Sequence, residues 1–281
     1  MNVRPVTPTL GAEVQGLDLT ATLSDDTAAE LRALLARHQV LFFRSQPLDA
    51  PTQLALARAF GEPMPDPHPK FGCVAELPAV SLIVNDADNP PDINVWHTDT
   101  TYRDPPAGTC VLHCVQTPPD GGGNTLWSSM YAAWEALSPG MRTLLEPLTA
   151  WHQLPLDGYP PELIATVIDK PIVARHPVVR WVEEAGRPAL FVNRVYTHHI
   201  EGLSRIESRA ILAALFEIAE SPDRSVRFAW NAGDTAIWDN RCTQHFAVAD
   251  YQGARRVMHR VAVTGEPVVA YRGQDRRGAP A

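Results

Sequence analysis

A histidine and an aspartate two residues apart are the first candidates for chemistry in this sequence. His97 and Asp99 lie in "VWHTDTTY" (residues 95–102), a run of β-branched and aromatic residues that predicts a strand. Residues i and i+2 of a strand project from one face, about 6 to 7 Å apart, so both side chains could reach one ion. An imidazole and a carboxylate bind Fe(II), Mn(II) or Zn(II), and a second imidazole would complete a 2-His-1-carboxylate set. The alternative is a polar strand face or a core histidine.

The second imidazole must come from a distant part of the chain. His245, in "WDNRCTQHFAVADY", follows the strand-like "TAIWDN" and lies 148 residues after His97 (245 − 97). A fold that returns the chain to its first strands is needed to bring the two histidines together, and a jelly roll does so. The sequence therefore predicts a metal-binding triad of His97, Asp99 and His245.

The elements that must position these residues are short strands with a few helices. Helices are predicted for "SDDTAAELRALLARH", with Ser24 as N-cap, for "DAPTQLALARAFG", and after Ser204, where "SRIE" is a capping box. Between them lie strand-like segments such as "VLFF", "SVRFAW" and "TAIWDN". Together with 26 prolines and 17 glycines, this pattern predicts a mainly β fold with flanking helices, a β-sandwich or jelly roll.

Length and composition favour a single domain over residues 1–281. The chain has 45% hydrophobic residues, and neither repeats nor a low-complexity linker divide it. Two segments rich in proline and polar residues, 63–94 and 149–176, are predicted to be long loops that act as lids or walls of a site.

Charge and cysteine content exclude several classes of protein. A net charge of −8 argues against nucleic-acid or anionic membrane partners. The sequence has neither a signal-peptide pattern nor an apolar run long enough to span a bilayer, so we expect a cytoplasmic protein. Its four cysteines form no CxxC pair and predict free thiols in a reducing compartment, not a disulfide scaffold or a zinc knuckle.

Four stretches in order carry a family resemblance: "WHTDTTY", "GGGNTLW", "WDNRCTQH" and "RRVMHR". They resemble the signature stretches of the taurine dioxygenase (TauD/TfdA) family of Fe(II)- and 2-oxoglutarate-dependent dioxygenases, and the likeness runs from Gly11 to Val268. The resemblance implies a double-stranded β-helix, which is a jelly roll, with His97, Asp99 and His245 on iron. It also implies a reaction in which O2 and 2-oxoglutarate are consumed, succinate and CO2 are released, and a substrate carbon is hydroxylated.

The same resemblance assigns residues to 2-oxoglutarate. If "RRVMHR" is a strand, Arg256, Met258 and Arg260 share one face, and the preceding "FAVADYQGA" predicts a hairpin that pairs this strand with the one ending in His245. By resemblance, Arg256 and Thr125 bind the distal carboxylate of 2-oxoglutarate. A guanidinium suits that role because it can bind a carboxylate bidentately. The three glycines before Thr125 are either a connecting loop or a wall of the site.

Arg260 points to a second anion. It lies about 13 Å along the strand from Arg256, too far for both to bind one small carboxylate. By resemblance, Arg260 and His68 bind the sulfonate of taurine, but the chain has Ile93 and Phe71 where the taurine enzymes are expected to have an asparagine and a tyrosine. An apolar wall would leave an ammonium group unpaired. We therefore predict an alkyl sulfonate or alkyl sulfate ester as substrate, released as an aldehyde plus sulfite or sulfate, with an aryloxyalkanoate second and taurine third.

Two functions of other classes remain open from the residues alone. A zinc hydrolase could use the same triad, and a jelly roll can be a non-catalytic binding protein. Arg256 and Thr125 argue against the hydrolase, which has no need of residues that bind a cosubstrate. A homodimer or homotetramer is expected for a soluble enzyme of this size.

Overall fold

The computed structural model describes residues 1–64, 71–91, 93–156, 164 and 172–273. The helices in these ranges are α1 (Asp25–His38), α2 (Ala50–Arg58), α3 (Met130–Glu135), α4 (Pro139–Leu145) and α5 (Arg205–Ala219). The predicted caps are confirmed: Ser24 accepts a hydrogen bond from the Thr27 N–H at the start of α1, and Ser204 and Glu207 form the capping box of α5. None of the described helices is both long and apolar enough to cross a bilayer.

The strands of the described residues form one large sheet and three small ones. They are β1 (Asn2–Pro5), β2 (Ala12–Gln15), β3 (Val40–Phe43), β4 (Gly72–Val74), β5 (Leu77–Asn85), β6 (Ala107–Gln116), β7 (Thr125–Ser129), β8 (Thr149–Gln153), β9 (Val173–Pro177), β10 (Val179–Val182), β11 (Arg187–Leu190), β12 (Thr197–Ile200), β13 (Ser225–Phe228), β14 (Thr235–Asp239), β15 (Thr243–Ala247) and β16 (Arg256–Thr264). The large sheet has the order β1-β2-β3-β14-β6-β16-β5-β4, and the small sheets are β13-β7-β15, β12-β8-β9 and β10-β11.

The large sheet packs face to face against β13-β7-β15. Trp127 of β7 lies 5.5 Å from Phe42 of β3 and 5.7 Å from Trp238 of β14, measured between ring centroids, and Phe228 of β13 stacks on Phe42 at 4.3 Å. Aromatic rings bury a large apolar area, so these contacts account for much of the packing between the sheets. Helices α1 and α2 cover the outer face of the large sheet, where Leu31 and other apolar residues form a second core. This arrangement confirms the predicted jelly roll.

Several sequence predictions about the elements were wrong. Segment 63–94 is not an irregular loop throughout: it contains β4 and the nine-residue β5, which pairs with β16 inside the large sheet. Segment 149–176 likewise contains β8 and most of β9, which pair with each other, whereas residues 157–163 and 165–171 lie outside the described residues. Helices α3 and α4 were not predicted. They are short, so they show little 3.6-residue periodicity, although Ser129 and Ser138 cap them.

The predicted hairpin between β15 and β16 was also wrong. Strand β15 pairs with β7 in the small sheet, whereas β16 pairs with β5 and β6 in the large one. Residues 248–255 therefore carry the chain from one sheet to the other. Eight connecting residues are longer than the two to five that usually close a hairpin. The two strands consequently face each other across the interior of the jelly roll.

Candidate metal centre and its cavity

The structure brings His97, Asp99 and His245 together in the interior. His97 is joined to His245 of β15 by two backbone hydrogen bonds of 2.9 and 2.7 Å, and Asp99 follows at the start of a turn and not on the strand that the sequence predicted. Asp99 Oδ1 lies 3.6 Å from His97 Nε2 and 3.9 Å from His245 Nε2, and one ligand atom from each residue lies within 4.8 Å of the other two. All three side chains are buried. A single ion could contact all three.

Asn240 holds the two segments of this cluster in place. Its side-chain amide is fully buried, accepts a hydrogen bond from the Asp99 N–H at 3.0 Å, and donates to the carbonyl oxygens of Asp99 and Ala107 at 3.0 and 2.8 Å. Thr98 adds a second link by donating to the Thr243 carbonyl. Sequence reasoning missed Asn240. The available signal was an asparagine at the turn after β14, five residues before His245.

Charge and burial favour the metal-binding forms of the cluster. Burial lowers the pKa of His245 to about 3, so its imidazole is neutral. The His97 Nδ1 atom lies 2.8 Å from the Val95 carbonyl; it donates there, which leaves the Nε2 lone pair on the side of Asp99. Burial alone would raise the pKa of Asp99, but the positive charge of Arg260, 2.9 Å from its Oδ2, lowers it well below its usual range. An ionised carboxylate beside two imidazoles is a donor set for a divalent transition metal.

The cluster opens into a cavity that also contains both arginines of the inner face of β16. Arg260 donates from Nη1 to Asp99 Oδ2 at 2.9 Å, while its Nε and Nη2 atoms are buried without a hydrogen-bond partner among the described residues. Arg256 donates from Nε to the Gly123 carbonyl at 3.0 Å and forms no ion pair with a described carboxylate. Thr125 also lines the cavity; its Oγ1 accepts from Trp230 Nε1, so its own proton is available for donation.

The remaining wall of the cavity is mostly apolar, apart from the side chains of Asn85 and Tyr251. The side chains of Phe71 and Ile93, singled out in the sequence, both line it, and His68 lies outside the described residues. Asp99 is the single carboxylate among the described lining residues, and it is already paired with Arg260. Tyr196, which sequence reasoning missed, lies edge-on to His97 with 6.3 Å between the ring centroids. The apolar part of the wall comprises Phe71, Ile83, Pro91, Ile93, Leu112 and Tyr196.

Residues 2–262 match the sequence model of the taurine catabolism dioxygenase TauD, TfdA family. The chain belongs to this family. It is 33% identical to an alpha-ketoglutarate-dependent sulfate ester dioxygenase of Pseudomonas putida, over 98% of this chain and 93% of the relative. It is 31% identical to the alpha-ketoglutarate-dependent 2,4-dichlorophenoxyacetate dioxygenase of Cupriavidus pinatubonensis, over 94% and 98%. A crystal structure of a taurine dioxygenase from Burkholderia xenovorans superposes with a TM-score of 0.82 at 33% identity, covering 97% of this chain and 96% of that one.

Membership of the TauD/TfdA family confirms the predicted reaction class. The protein is a 2-oxoglutarate-dependent dioxygenase, and its cosubstrates are 2-oxoglutarate (alpha-ketoglutarate) and O2. The zinc hydrolase and the non-catalytic binding protein are therefore set aside.

Proposed function

We propose that His97, Asp99 and His245 of this TauD/TfdA dioxygenase bind Fe(II), and that the enzyme oxidises an alkyl sulfate ester or alkyl sulfonate. Two imidazoles and one carboxylate are a donor set typical of non-haem Fe(II) oxygenases, which keep further coordination positions for other ligands. The chemistry supplied by such an iron is the coupling of O2 reduction and 2-oxoglutarate decarboxylation to substrate hydroxylation. Asp99 offers Oδ1 to the metal, since Arg260 holds Oδ2.

Arg256 and Thr125 are proposed to bind the distal carboxylate of 2-oxoglutarate. Arg256 is 6% exposed, and burial lowers the pKa of its guanidinium because no described carboxylate lies close enough to compensate. A buried, uncompensated cation is costly unless an anion pairs with it. The dicarboxylate cosubstrate supplies that anion, and the Thr125 hydroxyl can donate to the same group.

The substrate proposal rests on one observation: two buried nitrogen atoms of Arg260 have no hydrogen-bond partner among the described residues, in a cavity that has a large apolar wall. Its guanidinium contacts Asp99 through Nη1 alone and lies 5.5 Å from the ring centre of Phe71. Buried donors without acceptors are unfavourable, so an anionic oxygen of the substrate would satisfy Nε and Nη2. A sulfate or sulfonate group carries three such oxygens. The apolar side chains would then contact an alkyl chain.

The outcome of the reaction follows from the carbon that is oxidised. Hydroxylation of the carbon bearing the ester oxygen gives a species that breaks its C–O bond to release an aldehyde and sulfate. Hydroxylation of the carbon bearing sulfur gives an α-hydroxysulfonate, which loses its hydroxyl proton and breaks its C–S bond to release an aldehyde and sulfite. Taurine fits less well because its ammonium group would face a mostly apolar wall that offers no free carboxylate among the described residues. An aryloxyalkanoate is the second candidate, because its carboxylate could bind Arg260 and its ring the same wall.

A substrate panel tests this proposal. Hexyl sulfate, hexanesulfonate, phenoxyacetate and taurine are each supplied to the Fe(II)-loaded enzyme with 2-oxoglutarate, and succinate, sulfate and sulfite are measured together. We expect the hexyl compounds to give the highest kcat/KM and stoichiometric sulfate or sulfite, and Arg260→Met to reduce kcat/KM for every anion. A clear preference for taurine, or turnover that is indifferent to Arg260→Met, would exclude the proposed substrate site. A cytoplasmic location and a homodimer or homotetramer stay predictions, the latter to be checked by sedimentation.

A further inference from the structure

The loop of three glycines before Thr125 contacts the side chain of Arg256. Gly123 has a φ of 72°, its carbonyl accepts the Arg256 Nε–H at 3.0 Å, and its own N–H donates to Asp250 Oδ1 at 2.8 Å. A Cβ atom on Gly123 would lie 2.7 Å from Arg256 Cδ, 2.9 Å from Arg256 Nε and 3.2 Å from Tyr251 Cδ1. Even a methyl group therefore cannot be added there unless Arg256 moves.

The contact with Gly123 determines which edge of the guanidinium is available. Because the Nε–H of Arg256 is bonded to a backbone carbonyl, a bidentate carboxylate must use the two terminal Nη groups. Neither Nη group has a hydrogen-bond partner in the described part of the chain, and Arg256 lines the cavity. The loop thus fixes the orientation of the guanidinium before any ligand binds.

The loop is itself tied to the chain segment after β15. Asp250 accepts from Gly123 through Oδ1 and pairs with Arg227 through Oδ2 at 3.2 Å, and the Val248 N–H donates to the Asn124 carbonyl at 2.9 Å. These bonds join the glycine loop to the connection that leads into β16. Displacing Gly123 would therefore disturb Arg256 from both sides.

We propose that Gly123 is a positioning residue, whose carbonyl and missing side chain orient Arg256 so that its two Nη groups receive the distal carboxylate of 2-oxoglutarate. This inference rests on the role proposed above for Arg256. The glycine loop would then contribute to the affinity for 2-oxoglutarate. It would not contribute to metal binding, since within the described residues it contacts none of His97, Asp99 and His245.

The test compares Gly123→Ala with Gly121→Ala. Both glycines have positive φ values, 72° and 76°, so alanine at either position brings a similar backbone strain. An added Cβ at Gly121 meets no atom within 4 Å, whereas at Gly123 it meets Arg256. Titrating 2-oxoglutarate into Fe(II)-loaded protein without O2, by calorimetry, measures affinity without turnover. We expect Gly123→Ala to weaken binding about tenfold or more, which is about 1.4 kcal/mol or more, and Gly121→Ala to leave it within about twofold.

The other possible affinities of these variants would each contradict part of the proposal. Equal affinities for the two alanine variants, whether both normal or both reduced, would overturn the proposal, because the contact with Arg256 would then not matter. Wild-type affinity in Arg256→Met would remove the proposed carboxylate site itself, while loss in Arg256→Met with normal binding in Gly123→Ala would remove the positioning role alone.

If Gly123→Ala does not fold, Asp250→Ala takes its place, with Arg227→Ala as the matched control. The first removes the bond to the Gly123 N–H together with the salt bridge, whereas the second leaves that bond intact and removes the salt bridge and the hydrogen bonds of Arg227 to the Asn124 side chain. Weaker 2-oxoglutarate binding in Asp250→Ala but not in Arg227→Ala supports the proposal, and equal binding in the two variants overturns it. Fe(II) affinity should be unchanged in both.

Discussion

The two buried arginines of β16 should respond in opposite ways to the same substitution. Arg256 has no carboxylate partner among the described residues, so Arg256→Met removes a desolvated charge that no described anion compensates. Arg260 is bonded to Asp99 at 2.9 Å, and the Asp99 charge raises its pKa even though burial alone would lower it. Arg260→Met therefore leaves a buried carboxylate without its cation.

The different surroundings of the two arginines determine how much each substitution should change the unfolding free energy. Breaking a buried ion pair by removing one partner costs about 3 to 5 kcal/mol of unfolding free energy, which we expect for Arg260→Met. Arg256→Met should leave the stability of the ligand-free protein unchanged or higher, because methionine fills similar space without a charge to desolvate. Arg256→Met should also weaken 2-oxoglutarate binding by roughly 2 to 5 kcal/mol, or about 30-fold to several thousand-fold.

Urea unfolding of wild type and both variants, with a chelator and then with Mn(II) and N-oxalylglycine, measures both effects. Mn(II) alone is measured as well, and we expect the additional stabilisation by N-oxalylglycine over Mn(II) alone to be lost in Arg256→Met. A loss of more than about 2 kcal/mol of ligand-free stability in Arg256→Met would refute the reasoning, and so would unchanged stability in Arg260→Met. Either result would mean that we had misidentified which arginine of β16 is paired with a carboxylate in the ligand-free protein.

Two further predictions concern the metal ligands and the dependence of stability on pH. His97→Ala, Asp99→Ala and His245→Ala should each abolish Fe(II) binding and turnover while the circular dichroism spectrum stays that of a folded protein; near-normal iron binding in any variant would remove that residue from the ligand set. Burial lowers the pKa of His113 from 6.5 to about 4, so between these pH values the unfolded chain takes up a proton that the folded protein does not, and stability falls as the pH falls. His113→Gln should reduce the slope of unfolding free energy against pH in this window by up to about 1.4 kcal/mol per unit, and an unchanged slope in urea titrations would contradict it.

Local signals predicted local structure well. Ser24 and Ser204 each accept the backbone bond that their sequence context indicated, because capping involves residues three positions apart. Strand β5 escaped prediction because its neighbours in sequence are rich in proline and polar residues, and its regular structure depends on pairing with β16, more than 170 residues later in the chain. Strand formation of that kind is decided by partners that a local pattern does not contain.

The sequence indicated which residues form the candidate site, but not the hydrogen bonds and ion pairs that hold them. Residue types and spacing brought His97, Asp99 and His245 to notice, yet the strand assumed for Asp99 is a turn held by Asn240. The sequence also suggested Arg260 as an anion-binding residue without showing that one of its amino groups is already bound to Asp99. Alternation along a strand shows which side of the sheet a side chain faces; it does not show which group that side chain reaches.

The predicted hairpin between β15 and β16 was wrong, yet the prediction of which residues share one face of β16 did not depend on it. Strand β16 was expected beside β15, whereas the two lie in opposing sheets. The alternation of Arg256, Met258 and Arg260 depends only on β16 being extended, and all three are buried on its inner face. Since His245 faces the same interior from the opposite sheet, the arginines and the histidine meet across the cavity and not along one sheet. That geometry places the arginines and His245 on facing walls of one cavity, which a paired hairpin, with neighbouring side chains about 5 Å apart, would not.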